Sequence, residues 1–143
     1  MAGPQLINVS VKCEYALRAI LDLAIVASSD PVRIADIAAR RQIPQKFLET
    51  ILSDLRKQGF LDSRRGAEGG YLLARPAETI TLGEVVRAVE GSRGAAPAEP
   101  GPLDFLWVQV DTAIAGVLDR RNFADLAREW RERQSQHVPN WEI

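Results

Sequence analysis

Early in the chain, Glu14, Arg18 and Asp22 recur every four residues while nearly everything between them is apolar. That recurrence stacks side chains along a helix, so the stretch reads as a helix with one narrow wet stripe and otherwise buried sides, suited to a core or to dimer packing. Asp30-Pro31 breaks it, after which Ile34, Ile37 and Ala38 mark a short second helix that ends near Arg40, Arg41 and Gln42. Beyond Ile43-Pro44, the residues Phe47, Leu48, Ile51, Leu52 and Leu55 trace one apolar face of a third helix of about four turns. Pro44 suits its first turn, and Gly59 closes it where a left-handed residue is wanted.

The texture then changes. Residues 60–64 and 70–74 read as two short strands around Arg65-Gly66-Ala67-Glu68-Gly69, a turn that a hairpin tolerates and a helix does not. Thr81 and Glu84 have capping-box spacing ahead of Val85, Val86 and Val89, which predicts a fourth helix stopping at Gly91. Residues 92–102, rich in Gly, Pro and Ala, read as a mobile loop. Leu103, Leu106, Trp107, Val110, Ile114, Val117 and Leu118 then form a long stripe at three- and four-residue spacing, and Asn122 can cap a last helix through Phe123, Leu126, Ala127 and Trp130. The fold expected is mainly α with a small β-wing: a winged helix-turn-helix over residues 9–91, a flexible loop over 92–102, and a dimerisation helix with a C-terminal helix over 103–136.

Composition narrows the function classes. With 143 residues, 46% hydrophobic and 26% charged, the chain matches an ordinary globular domain rather than a disordered or fibrous one. Its most apolar stretch, residues 15–27, is short for a membrane span and carries Arg18 and Asp22, and residues 1–9 do not read as a signal peptide. A single cysteine, Cys13, permits no internal disulfide and no multi-cysteine metal site; it suits a reducing compartment, so a cytoplasmic location is expected. The net charge of −1 is unevenly spread. Residues 33–75 hold nine basic and five acidic groups, whereas residues 76–143 hold seven and eleven, as expected of a module with one polyanion-facing side.

The third helix and the ribbon carry the candidate chemistry. With Leu48, Ile51, Leu52 and Leu55 behind it, the helix would present Gln45, Lys46, Glu49, Thr50 and Ser53 outward to a major groove. Arg64 and Arg65 at the ribbon's tip would enter the adjacent minor groove, where glycines permit close backbone approach. Cys13 beside Lys12 is a candidate thiol sensor, although one cysteine at the start of an apolar helix is more often a small buried hydrophobe. Trp107, Trp130 and Trp141 could line an effector pocket or pack in a core, and the position of Trp107 on the long stripe favours packing. His137 stands alone in a polar tail and reads as solvated. No nucleophile–base pair, phosphate loop or metal-ligand cluster is legible, so an enzyme is not expected.

Tyr15-Ala16-Leu17-Arg18-Ala19, Ile37-Ala38, Phe47-Leu48-Glu49, the run Leu55 to Leu61 and above all Arg65 to Pro76 carry a resemblance. In these segments, from about Val9 to Gly91 and more loosely beyond, the chain resembles the Rrf-two family of bacterial transcription regulators. The resemblance implies a homodimeric winged-helix protein on palindromic operators, with the long helix crossing to the partner. It places Pro44, Lys46, Phe47, Glu49 and Thr50 at the major groove, Arg56 at the DNA backbone, and Arg65 with Gly66 at the minor groove. Iron-sulfur members hold their cluster with three cysteines in the loop before the long helix; this loop has none, so no cofactor is expected. Glu14, where some members supply an acidic ligand, is expected to pair with Arg18, and Arg33 stands where relatives often have a capping serine or threonine and could add a phosphate contact. The expected function is that of a homodimeric, sequence-specific regulator of double-stranded DNA, a repressor answering to a small-molecule or protein effector. The alternative is an adaptor acting mainly through protein contacts, suggested by the acidic second half and the missing cluster ligands.

Overall fold

The computed structural model describes residues 9–91 and 101–136. Six α-helices and a two-stranded ribbon follow in the order α1 (Val11–Val26), α2 (Ile34–Arg41), α3 (Gln45–Lys57), β1 (Leu61–Arg64), β2 (Gly70–Leu73), a 3-10 turn (Ala77–Thr79), α4 (Leu82–Glu90), α5 (Asp104–Asp119) and α6 (Phe123–Gln136). Two helix starts, at Thr81 and Asn122, are capped as the sequence predicts, and Ser10 adds a cap to α1 that the sequence pattern does not single out. Ser10 Oγ accepts from the Cys13 amide, Thr81 Oγ1 from Glu84 and Asn122 Oδ1 from Asp125. The capping box at α4 is half used, because the Glu84 carboxylate pairs with Arg75. Pro44 precedes the first turn of α3 rather than standing within it, and Gly59 does take the expected positive φ, +89°.

The core lies between α1, α2, α3 and α6. Ala16, Ala19, Ile20 and Leu23 of α1 meet Ile37 of α2, Leu48, Ile51, Leu52 and Leu55 of α3, Val85 of α4, and Phe123 with Ala127 of α6. Small residues on α1 let four neighbouring helices approach it, which its nearly continuous apolar sequence requires. One expectation fails here: Phe47 is not on the buried face of α3 but is 60% exposed, because it lies a quarter-turn away from the row formed by Leu48, Ile51, Leu52 and Leu55.

The ribbon is antiparallel, with Leu61 opposite Leu73 and Arg64 opposite Gly70. A third element joins it that the sequence pattern does not announce: Val32 exchanges both backbone hydrogen bonds with Tyr71, at 2.8 and 2.9 Å. A Cβ at Gly70 would stand 2.2 Å from the Val32 carbonyl oxygen, so this approach requires glycine. A similar single bridge, Thr81 to Asn122, ties the start of α4 to the α5–α6 turn, and the Leu82 and Phe123 amides donate to Arg121 and Ile80 across it.

Candidate nucleic-acid interface

Helix α3 presents its outer face as the sequence predicts, with Gln45, Lys46, Glu49, Thr50 and Arg56 exposed. Pro44 and Phe47 are exposed beside them; Ser53, expected to face out, is half-buried. Phe47 thus lies on the exposed side of α3 and not among its core-facing residues. Lys12 of α1 pairs with Asp54 at 3.2 Å along the flank of α3.

The wing's tip is built for tight turning. Gly66 has φ +106°, its carbonyl accepts from the Gly69 amide, and a Cβ at Gly69 would lie 2.3 Å from the Arg64 carbonyl oxygen. Arg64, Arg65 and Gly66 are all exposed. Arg33, at the cap position of α2, offers no side-chain cap; its Nη2 donates to the Ala67 carbonyl at 2.9 Å. The side chain that the sequence suggests for a phosphate contact thus holds the tip of the wing. Between α2, α3 and the wing lies a groove of about 410 Å3 lined by Arg33, Gln45, Ser63, Arg64, Arg65 and Tyr71.

Several of the described cations of this face go unpaired, as do Arg120, Arg131 and Arg133 after α5 and on α6. Among the described residues, Lys46, Arg56, Lys57 and Arg65 form no ion pair, whereas Arg18, Arg75, Arg87, Arg121 and Arg128 each meet a carboxylate. Unpaired cations on a convex helix and a projecting ribbon leave their charge available to a polyanion. Lys57 belongs to this set and escaped the sequence reading, since nothing in a helical repeat separates a paired lysine from an unpaired one.

Behind α3, the wet stripe expected on α1 proves to be two different things. Glu14 and Arg18 do form an exposed pair at 3.1 Å, but Asp22 is fully buried. Arg40 binds both its oxygens, at 3.0 and 2.9 Å, and Arg41 Nε reaches Oδ1 at 2.7 Å. These bonds raise the pKa of Arg40 above its ordinary value, with burial working against them. Trp130 of α6 lies over the Arg41 guanidinium at 5.7 Å, so it belongs to this latch and not to a pocket. The latch fixes α2, and with it α3, to α1.

Helix α5 has no buried residue. Leu103, just before it, and Leu106, Trp107, Val110 and Val117 are exposed, Ile114 and Leu118 are half-buried, and Phe105 and Val108 widen the apolar surface beyond the expected stripe. Arg87 of α4 holds Asp119 at its far end, at 2.7 Å. Cys13 is wholly buried, which offers an oxidant nothing to attack and weighs against the thiol-sensor reading. Ser92, Glu99, His137, Trp141 and most of the 92–102 loop lie outside the described residues.

The family of iron-dependent transcriptional regulators designated Rrf2 matches residues 9–129, nearly all of the fold just described. The chain belongs to the Rrf2 family. A helix-turn-helix-type transcriptional regulator of Mycobacterium tuberculosis is 37% identical over 131 residues, covering 84% of this chain and 81% of that protein. The regulator IscR of Klebsiella pneumoniae is 34% identical over 140 residues, covering 88% and 86%. Among solved structures, IscR of T. potens superposes with a TM-score of 0.80 at 31% identity over 98% of both chains. CymR, the global cysteine regulator of B. subtilis, superposes with a TM-score of 0.78 at 31% identity over 87% of this chain and 98% of its own. The winged helix-turn-helix is therefore the fold of this Rrf2 member, and DNA-binding transcription regulation is its class of activity. Its relatives are regulators, not enzymes. The iron dependence in the family's description meets a donor set that does not fit a thiolate-held cluster: the whole sequence holds one cysteine, and that one is buried in α1. No described helix is long and apolar enough to cross a membrane.

Proposed function

We propose that this Rrf2 member is a cytoplasmic, homodimeric repressor that binds a palindromic operator without an iron-sulfur cluster. The row of unpaired cations along α3 and the wing carries the reading. Glu49 and Thr50 read base edges in the major groove with Lys46 beside them, Arg56 holds the phosphate backbone, and Arg65 with Gly66 enters the minor groove. The exposed apolar surface of α5, beginning at Leu103 and Leu106 and running through Trp107 to Val117, is the surface that a second copy covers by two-fold packing.

The experiment is retention of genomic fragments from the source organism on the purified protein at physiological salt, followed by sequencing. An enriched palindrome upholds the reading, and its position against the promoters it neighbours, with transcription measured with and without the protein, decides repression. Uniform retention of all fragments, or none, would sink it. Salt separates the adaptor alternative, because a protein that neutralises several phosphates loses affinity steeply as salt rises, with a log–log slope of about −0.9 per phosphate.

A further inference from the structure

The end of α1, strand β2, the 3-10 turn and α6 enclose a second groove, of about 760 Å3, to which no residue of α3 or of the wing's tip contributes. Its volume lies within the range of small-molecule sites, about 300–1,000 Å3. The floor is apolar, formed by Leu23, Val32, Leu73 and Ala127. The rim carries Arg75, Arg128 and Arg131; Glu84 and Asp125 pair with the first two and Glu78 lies on the same rim, so Arg131 is the rim arginine that no carboxylate meets among the described residues.

Two of these arginines are held in place by the protein and keep donors to spare. Arg131 Nη2 donates to the carbonyls of Ala24 and Ile25 at 3.1 and 2.6 Å, and Arg75 donates to the Thr79 carbonyl at 3.2 Å while pairing with Glu84. A guanidinium has five N–H groups, so Arg131, bonded through one nitrogen, has others left for a ligand. Arg128 is 61% exposed and touches only Asp125, one turn back on its own helix. Fixed guanidinium donors above an apolar floor recognise a carboxylate attached to a small hydrocarbon body, and Arg131, held by backbone carbonyls and met by no described carboxylate, supplies the positive charge that favours an anion.

We infer that this groove binds a small organic carboxylate and that its occupancy is felt at the wing. The connection is short: Val32 in the floor exchanges both backbone hydrogen bonds with Tyr71 of β2, and its neighbour Arg33 holds Ala67 at the wing's tip. The second half of this inference rests on the DNA-binding reading; the first half does not.

The test is a titration of the 15N-labelled full chain with isovalerate and succinate, with inorganic phosphate as comparator, followed through the amides of Ala27, Leu73 and Ala127. Saturable shifts with at least one carboxylate are expected. Arg128→Ala should weaken them about tenfold, the cost of one charged hydrogen bond, Arg128→Lys should restore part of the loss, and Ala124→Phe should block the groove. The amide spectrum itself reports whether each variant is folded. Absence of saturable shifts with both carboxylates, binding of phosphate alone, or indifference to both Arg128→Ala and Ala124→Phe overturns the site. If a carboxylate binds but the protein's retention of DNA at fixed salt is unchanged, the link to the wing is overturned and the site stands.

Discussion

Asp22 shows how one side chain can decide where a reading helix points. It is the one charged residue fully buried among those described, and two guanidinium groups from the end of α2 satisfy it. Asp22→Ala would strand both, and the expected loss is about 3 kcal/mol, near the low end for a broken buried pair because Arg40 still reaches solvent; urea unfolding checks it. Arg33 works at longer range. On the proposed reading, Arg33→Ala frees the Ala67 carbonyl and should lower operator affinity severalfold with unchanged thermal stability, whereas Arg65→Ala, which would remove the proposed groove contact, should cost about 1–3 kcal/mol of binding; fluorescence anisotropy with one labelled operator separates the two from the parent. Neither role was legible beforehand. Spacing places Asp22 on a stripe with Glu14 and Arg18, and only the approach of α2, eighteen residues on, turns that stripe inward.

At the scale of elements, the sequence announces most of what is local. Caps at Thr81 and Asn122, the glycine after α3 and the hairpin turn follow from short-range rules, since each satisfies backbone groups within four residues of itself; the Ser10 cap obeys the same rule, although the sequence pattern does not single it out. Asn122→Ala should cost about 1 kcal/mol, measured by thermal unfolding. What the pattern leaves hidden are contacts between distant segments: the Val32 bridge, the Thr81–Asn122 bridge and the return of α6 to α1, which places Phe123 in the core. The same limit explains the candidate interface. A polar outer face on α3 is visible in the sequence, but which of its cations lack carboxylate partners depends on neighbours that only the fold supplies. Gly83 marks one such contact, since a Cβ there would stand 1.9 Å from Asp119 Oδ1. Gly83→Ala should therefore displace the Arg87–Asp119 pair and loosen α5 from α4, which hydrogen exchange along α5 would record as faster than in the parent.

For the whole molecule, charge and apolar surface are divided between two regions. The unpaired cations of α3 and the wing lie on one, although Arg120, Arg131 and Arg133 near the C-terminal helix are also unpaired among the described residues, while the exposed apolar area lies on α5, joined to the remainder through Arg87–Asp119 and the bridge at Asn122. On the proposed reading, Trp107→Asp should convert the dimer to a monomer in light scattering at micromolar concentration and weaken operator binding far more than non-specific binding, because only the specific complex uses both half-sites. At 16 residues α5 is about 24 Å long, and its described tertiary ties lie toward its C-terminal end. It is mounted like a cantilever. In the dimer proposed above, dilution then acts where heat and denaturant do not discriminate: below the dissociation constant the free end would lose its cover and melt at a temperature that falls with concentration, while the Asp22 latch and the winged unit behind it would melt where they did before. The cell's own supply of the protein would in that way set how much of it is shaped to read an operator at all.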